Sequence, residues 1–535
     1  MTPPLRMVAA LVSLLPASLF ANTTDYWLNP VSGNWSNATN WSAGVPNNSS
    51  NSTYDVFINA SGAPYTVSLG PAATATISSL TLGDTQTTFS VGNSTLLTVS
   101  GAVDLANSTL ELVGTAGIAN ATIGSSGTGQ LLIQSTSIAF NPSFSNVTLA
   151  TSAIVEPGST LSIQHNLTLS NGSVHLDGNT ANAASVSDLN SSYLVLGTGS
   201  FVFDGADNAN SIHTLNQFPA NLTVRTGTSG GSVFLGNTAF VYGTVSAQTA
   251  NATLTLYGPA SFTTGQGSLI QAINGSALVA NNTLATISGT LNVDSSSSIR
   301  FTGDYTQTST AVLTGNGTIY ANSMTGTIRI PVQTVHITGT GFNPLSGLTI
   351  GGATDHWTGM LDIGQVDLRT QPAIGSADLG TIQNQLHEAY DNGKWDGAGG
   401  ITSSALTSAT GIALMTGADY TAATGHTNFD GQTLLSTDIL LHLAPVGDAN
   451  LDGRVDLSDL SIVLNNFGQS SLSWTHGNFD YTSAIDLSDL SAVLNNFGYI
   501  TPAGSASQSV VTAVPEPASF ALIGFSGTLL WRRRR

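Results

Sequence analysis

Two short runs of Asp and Asn near the C-terminal end carry the residue types that a hard cation needs. Segment 448–459 reads DANLDGRVDLSD. In a twelve-residue loop, oxygen ligands at positions 1, 3, 5, 7, 9 and 12 can surround one calcium ion, with Gly at position 6 for the sharp turn. The pattern places Asp448, Asn450, Asp452, the Arg454 carbonyl, Asp456 and Asp459 around one ion, with Gly453 at the turn. Position 12 is Asp, one methylene shorter than the Glu of ordinary EF-hands. The second loop, 478–489, offers Asn478, Asp480, Thr482, the Ala484 carbonyl, Asp486 and Asp489. It loses the carboxylates at positions 1 and 5 and gains one at position 3, a net loss of one charge. Ser483 also stands where Gly is wanted. Fewer charges predict a lower affinity, so Ca2+ is the expected cofactor, with the first loop the stronger site.

The elements that must position these ligands are duplicated. Segments 456–468, DLSDLSIVLNNFG, and 486–498, DLSDLSAVLNNFG, differ only at Ile462 and Ala492, at an offset of 30. Leu457, Leu460, Val463, Leu464 and Phe467 have the spacing of one apolar helix face, stopped by Gly468. Paired loop–helix units over 446–500, with Asp at position 12 of each loop, resemble a type I dockerin domain. The resemblance implies calcium-coupled folding and docking onto a cohesin-like protein in an extracellular assembly. Many such domains carry a Ser-Thr pair at loop positions 10 and 11, where this chain has Leu457-Ser458 and Leu487-Ser488. Calcium binding follows from the residues themselves; recognition of a cohesin-like partner does not.

The long middle, 22–355, is a monotone of short alternating runs such as TISSLTLG, TLELVG and ATLTLYG, separated by Gly, Asn, Ser and Thr. Period-2 alternation rich in β-branched residues predicts strands, and the Gly and Asn between them supply turns. Strands recurring over 300 residues predict a parallel β-helix, in which each rung buries a narrow stripe and rungs stack into one core. No strict repeat length is visible. A pair of β-sandwiches is the competing architecture. Trp27, Trp35 and Trp41 are expected to cap the first rung, with a sugar-stacking platform as the sharper alternative. The segment around them, with Gly44-Val45-Pro46, resembles the entry of autotransporter-like surface proteins. From 356 to 445 the texture changes to an adapter: Leu379, Ile382, Leu386 and Tyr390 predict a helix ending before Gly393, and in 393–417 a Gly-rich loop and a further helix are expected.

Both ends carry apparent addresses. Arg6 precedes the apolar run 7–15 and small residues up to Ala21, the outline of a signal peptide over 1–21. After a linker at 501–514, residues 515–535 read PEPASFALIGFSGTLLWRRRR. The Pro-Glu-Pro triplet, the short apolar run and the terminal Arg cluster together resemble the PEP-CTERM sorting signal of bacterial exported proteins. That resemblance implies transient insertion in the inner membrane, processing by an exosortase-type enzyme, and display at the cell surface or in the extracellular space.

Composition removes several classes. The chain has 535 residues, formal net charge -19, 8% charged residues and no Cys. Arg225 is the sole Lys or Arg between Arg6 and Arg300, so nothing neutralises phosphates and a nucleic-acid partner is excluded. Thiolate chemistry is absent. Only four Glu occur, Glu111, Glu156, Glu388 and Glu516, and no motif groups the body's Asp residues into the carboxylate pair of a glycosidase. His387-Glu388 lacks the second His of a zinc motif. The sequence therefore favours a non-catalytic surface structural or adhesive protein. The alternative is a component of a polysaccharide-degrading system that binds or cleaves glycans as a hydrolase or lyase, with polysaccharide or extracellular matrix as its partner.

Overall fold

The computed structural model describes residues 21–501, apart from 84–86, 138–139, 189–194, 259–260 and 373–374. The expected signal peptide, 1–21, except Ala21, and the linker and sorting tail, 501–535, except Thr501, lie outside the described residues. No helix among the described residues is long and apolar enough to cross a membrane.

The body is a parallel β-solenoid. Alternation does what the sequence predicts: in Tyr65–Leu69 the residues Tyr65, Val67 and Leu69 point inward and are buried, while Thr66 and Ser68 face out. Each strand pairs in parallel with its counterpart one rung later. Val67, Phe89, Leu110, Leu131, Ala153, Val174, Phe201, Val224, Val245, Ile270, Leu291 and Leu313 thereby form one continuous buried column. Among the described residues, apart from isolated bridges at corners and in the cap, every pairing of one body strand with another between Thr23–Tyr26 and Gln365–Thr370 is parallel, save the two-residue hairpin of Gly352–Ala353 with His356–Trp357, which removes the sandwich alternative. Successive members of the column lie 21 to 27 residues apart. Corners absorb the difference, which is why no fixed repeat could be read.

Three sheets enclose the core as far as Val195–Gly197, where the first sheet ends. Farther along, single long strands turn the corner. Gly231–Val241 pairs with Thr253–Tyr257 through its first half and with Ser261–Thr264 through its second. Asn serves the corners chiefly by its backbone: Asn120, Asn146 and Asn171 all sit at φ between 53 and 58°. One side-chain rung of a ladder joins Asn146 Nδ2 to Asn120 Oδ1 at 3.4 Å. Because a Cβ-bearing residue without a local polar side chain tolerates the left-handed region poorly, Asn146→Ala is expected to cost about 1 kcal/mol, read as a lowered thermal midpoint.

Both ends of the solenoid are covered. Trp27, Trp35 and Trp41 are 2–3% exposed and meet edge to face, with centroids 5.0 and 4.7 Å apart, and Trp35 reaches Phe89. They are a cap; rings so buried offer no platform to a sugar. At the other end the ladder runs past residue 355, since Met360–Asp362 continues in parallel to Gly400–Thr402. The expected adapter is thus partly solenoid. Ile439–Pro445 then pairs antiparallel with both Gln365–Thr370 and Thr410–Thr416, closing the open parallel edge.

The helix α1, Leu379–Tyr390, forms as its periodicity predicts, capped by Asp378 and burying Ile382 and Leu386. The further helix expected within 393–417 does not form there. Gly400–Thr402 and Thr410–Thr416 are strands, and α2, Gly417–Thr424, starts only afterwards. Residues 412–415 are buried on both faces of their strand, so their apolar run lacks the alternation that separates strand from helix.

Candidate metal centre

Two near-identical helices, α3 (Leu457–Asn466) and α4 (Leu487–Asn495), follow the two loops. Each starts with a capping box. Asp456 or Asp486 caps the first turn, and the position-12 carboxylate, Asp459 or Asp489, reaches back to the cap's N–H. The loops are laced crosswise. Val455 of loop one exchanges backbone hydrogen bonds with Gly498 and Tyr499 after α4, and Ile485 of loop two does so with Gly468 and Gln469 after α3. Gly447, entering loop one, lies against Val493 of α4; Gly477, entering loop two, lies against Val463 of α3. At Gly477 a Cβ would sit 2.8 Å from Val463, so the close approach requires glycine there.

In loop one, Leu451 and Gly453 adopt positive φ, and the turn aims several N–H groups at the ligand carboxylates. Asp448 accepts from Asp452 N at 3.2 Å and Gly453 N at 2.9 Å. Asp459 accepts from Ala449 N and Asn450 N through one oxygen, and from Asp456 N through the other. Asp452 accepts from Arg454 N and from Asn450 Nδ2. Asp448 and Asp459 are buried. Burial first, then the neighbouring Asp459 and Asp452, push the Asp448 carboxyl up to about 7. Asp459 is also raised, mainly by burial. Asp456 is held below the usual range by Ser458, which bonds to it through both hydroxyl and N–H.

Loop two places Asp480, Asp486 and Asp489 so that one oxygen from each lies within 4.8 Å of the others. This is the gathered carboxylate cluster among the described residues, and it falls in the loop that the sequence ranks lower. Three features explain the convergence. Asp489 is buried, accepts from Phe479 N at 2.7 Å, and is pushed up to about 6 by that burial. The Ser488 hydroxyl bridges Asp480 and Asp486, drawing positions 3 and 9 together. Tyr481 at φ 61° repeats the left-handed position 4 of Leu451, while Ser483, unlike Gly453, is not left-handed, so a Cβ at position 6 meets no backbone strain. Thr482, at position 5, donates to Asp480 and to the Ala484 carbonyl. The Asn478 amide, at position 1, donates to the Ser471 and Thr482 carbonyls, while its buried Oδ1 has no hydrogen-bond partner. A buried amide oxygen without a hydrogen-bond partner, in the loop that gathers three carboxylates, is a donor of the type a hard cation takes.

Ser458 and Ser488, at position 11 of the two loops, carry a role that sequence reading missed; their repetition in both copies was the available signal. Such groups orient carboxylates toward an ion from behind. Ser488→Ala is expected to weaken calcium binding about 10-fold, measured by calorimetric titration, with little change in the metal-free melting curve.

The module does not stand apart from the body. Trp474 is fully buried, donates through Nε1 to the Asp448 carbonyl at 2.7 Å, and packs on Gly411 of the closing sheet. The Tyr481 hydroxyl accepts from Ile412 N at 3.0 Å and donates to the Ile412 carbonyl at 2.9 Å. Tyr390 and Trp395 meet the Tyr481 ring edge to face. Gln383 and His387 of α1 bond to the Thr482 and Asp480 carbonyls, inside loop two itself.

The helices bury less than their pattern predicts. Val463 and Val493 are buried and Leu460 and Leu490 are half-buried. Leu457 and Leu487 are each 68% exposed, Leu464 and Leu494 each 55%, and Phe467 and Phe497 44% and 48%. The expected single apolar face is split: one edge enters the core and a matched edge on both helices faces solvent. No family model, curated protein or solved structure matches this chain.

Proposed function

We propose that the chain is an exported surface protein whose solenoid serves as a rigid structural or adhesive spacer, with a calcium-dependent, dockerin-like assembly module at its C-terminal end. The observation that carries this reading is the duplicated exposed triad, Leu457/Leu487, Leu464/Leu494 and Phe467/Phe497, set on helices whose start is defined by ligand carboxylates. Exposed apolar groups repeated with the same geometry mark a surface kept for a partner. Their symmetry allows either helix to offer the same contacts after a half-turn, and a cohesin-like domain is the partner class proposed. Ca2+ would be held by Asp448, Asn450, Asp452, the Arg454 carbonyl, Asp456 and Asp459, and by the corresponding set from Asn478 to Asp489.

The PEP-CTERM-like tail and the signal-peptide outline supply the proposed route: export, transient membrane anchorage, and processing by an exosortase-type enzyme. The test is affinity capture by the full chain from the producing cell's secreted fraction, with calcium or with chelator. A calcium-dependent partner should be retained by Leu457→Asp or Leu487→Asp alone and lost when both are combined, with melting unchanged. Retention by the double variant, or capture indifferent to chelator, overturns the docking role.

A further inference from the structure

We propose that the outer face of the solenoid carries a serine hydrolase-type site, formed by Ser173, His175 and Asp204, for carboxylic esters of small acyl groups on polar alcohols. Ser173 and His175 both project from the outward side of strand Ser173–Leu176, whose Val174 and Leu176 are buried. Ser173 Oγ lies 2.8 Å from His175 Nε2, and His175 Nδ1 contacts Asp204 Oδ2. An ionised carboxylate can only accept a hydrogen bond. The Asp204 contact therefore places the imidazole proton on Nδ1 and leaves the Nε2 lone pair facing the serine hydroxyl. This is the connectivity of nucleophile, general base and orienting carboxylate.

The carboxylate is itself held. Asp204 Oδ1 accepts from Thr228 N at 3.1 Å, and a Cβ at Gly227 would fall 1.9 Å from that oxygen, so the seat is kept open by glycine. Ser173 is half-buried, its hydroxyl also meets Ser152 Oγ at 2.9 Å, and it lines an open groove of about 370 Å3. Asn171, Thr198, Ser200 and Thr223 give that groove a polar wall, and Arg225 supplies a guanidinium. Arg225 stands two rungs beyond His175 in the same column, with Val202 between them. An open, polar groove with one cation suits a hydrated alcohol bearing a small acyl group.

In the proposed reaction Ser173 Oγ bonds to the acyl carbon as its proton passes to His175 Nε2. The ester C–O bond then breaks, and the imidazolium returns the proton to the departing alkoxide. Water next attacks the acyl-serine, giving its proton to His175; the acyl–Oγ bond breaks and Ser173 recovers the proton. No oxidant or further reactant is needed. Sequence reading could not see the site because Asp204 lies 29 residues from His175 and reaches it only through rung stacking.

The test is covalent labelling of the full chain by a fluorophosphonate, with p-nitrophenyl acetate hydrolysis in parallel. Labelling should map to Ser173, vanish in Ser173→Ala, persist in Ser211→Ala, and slow at least about 100-fold in His175→Ala. Asp204 is a positioning residue. Asp204→Asn should lower kcat about 10-fold or more with KM little changed, and Asp204→Glu should restore part of the loss, a pattern that a merely structural role would not give. Far-UV circular dichroism checks that each variant keeps its β-fold. A native chain that is not labelled at Ser173, or a folded His175→Ala variant labelled at the same rate, overturns the proposal.

Discussion

Trp474→Ala is expected to destabilise the C-terminal end of the molecule by about 3–5 kcal/mol, the range for truncating a fully buried aromatic side chain. The indole is 0% exposed and lies edge to face on Phe479, with centroids 4.9 Å apart. It also packs against Gly411, which Val446 approaches as well, where the closing sheet meets the module. Truncation therefore opens a cavity between two elements that each depend on the other. The lost Nε1 bond to the Asp448 carbonyl adds a second cost, since that carbonyl belongs to position 1 of the first loop. The expected readout is a lower denaturation midpoint for the calcium-stabilised transition and a weaker calcium affinity, measured together by circular dichroism and calorimetry. A variant that melts like wild type would show that the module and the end of the solenoid unfold independently. The same contacts predict that a fragment confined to 446–501 is less stable than one that retains the closing sheet and α1, because Trp474 and Tyr481 would lose their cover.

The contrast between what could and could not be read from sequence follows from the range of each interaction. Inward and outward sides of the body strands depend on neighbours two residues apart, so alternation announced them, as in Tyr65–Leu69. The cap role of Trp27, Trp35 and Trp41 was legible because an open rung must be covered. Register was not legible: the partner of Val174 is Phe201, 27 residues on, while the partner of Leu110 is Leu131, 21 on. Corner length sets those offsets, and corners carry no periodic signal. Within 393–417, where a helix is expected, Thr410–Thr416 is a strand, because burial on both faces erases the period. For the candidate metal loops, spacing proposed the ligand set, but it did not show the gathering of carboxylates in loop two. Charge counting favours loop one, whereas convergence in loop two depends on Ser488 and on the grip of Gln383 and His387, 99 and 93 residues before the carbonyls they hold. Exposure of Leu457 and Leu487 was also hidden, since amphipathic spacing says which residues share a face but not how much of that face is covered.

Calcium is expected to stabilise the chain more at pH 8 than at pH 5, and Asp489→Asn should remove the part contributed by loop two. Burial raises Asp448 to about 7 and Asp489 to about 6, from an unfolded value near 4. A raised carboxyl favours the folded state most fully below the unfolded value, and that contribution is lost as pH climbs through the folded one. The metal-free protein should therefore lose stability between about pH 4 and pH 7. On the proposed reading a cation that binds the deprotonated carboxylates and displaces their protons would reverse the trend. At about 100 times the dissociation constant, one occupied loop adds roughly 2.7 kcal/mol. At pH 5 protons compete for Asp448 and Asp489, so the gap between melting midpoints with and without calcium should shrink. Asp489 is the decisive position in loop two: it joins the carboxylate cluster, caps α4 through Asp486 N, and holds Phe479 N. Asn at this position keeps one acceptor for the backbone but removes the charge, so the fold should persist while loop two binds calcium far more weakly. Thermal melts of wild type and Asp489→Asn at pH 5 and pH 8, each with calcium or chelator, separate these terms. A calcium increment that does not grow with pH would mean that the raised carboxylates are not the ones the cation engages. An unchanged increment in Asp489→Asn would assign calcium binding to loop one alone, restoring the order that charge counting predicts.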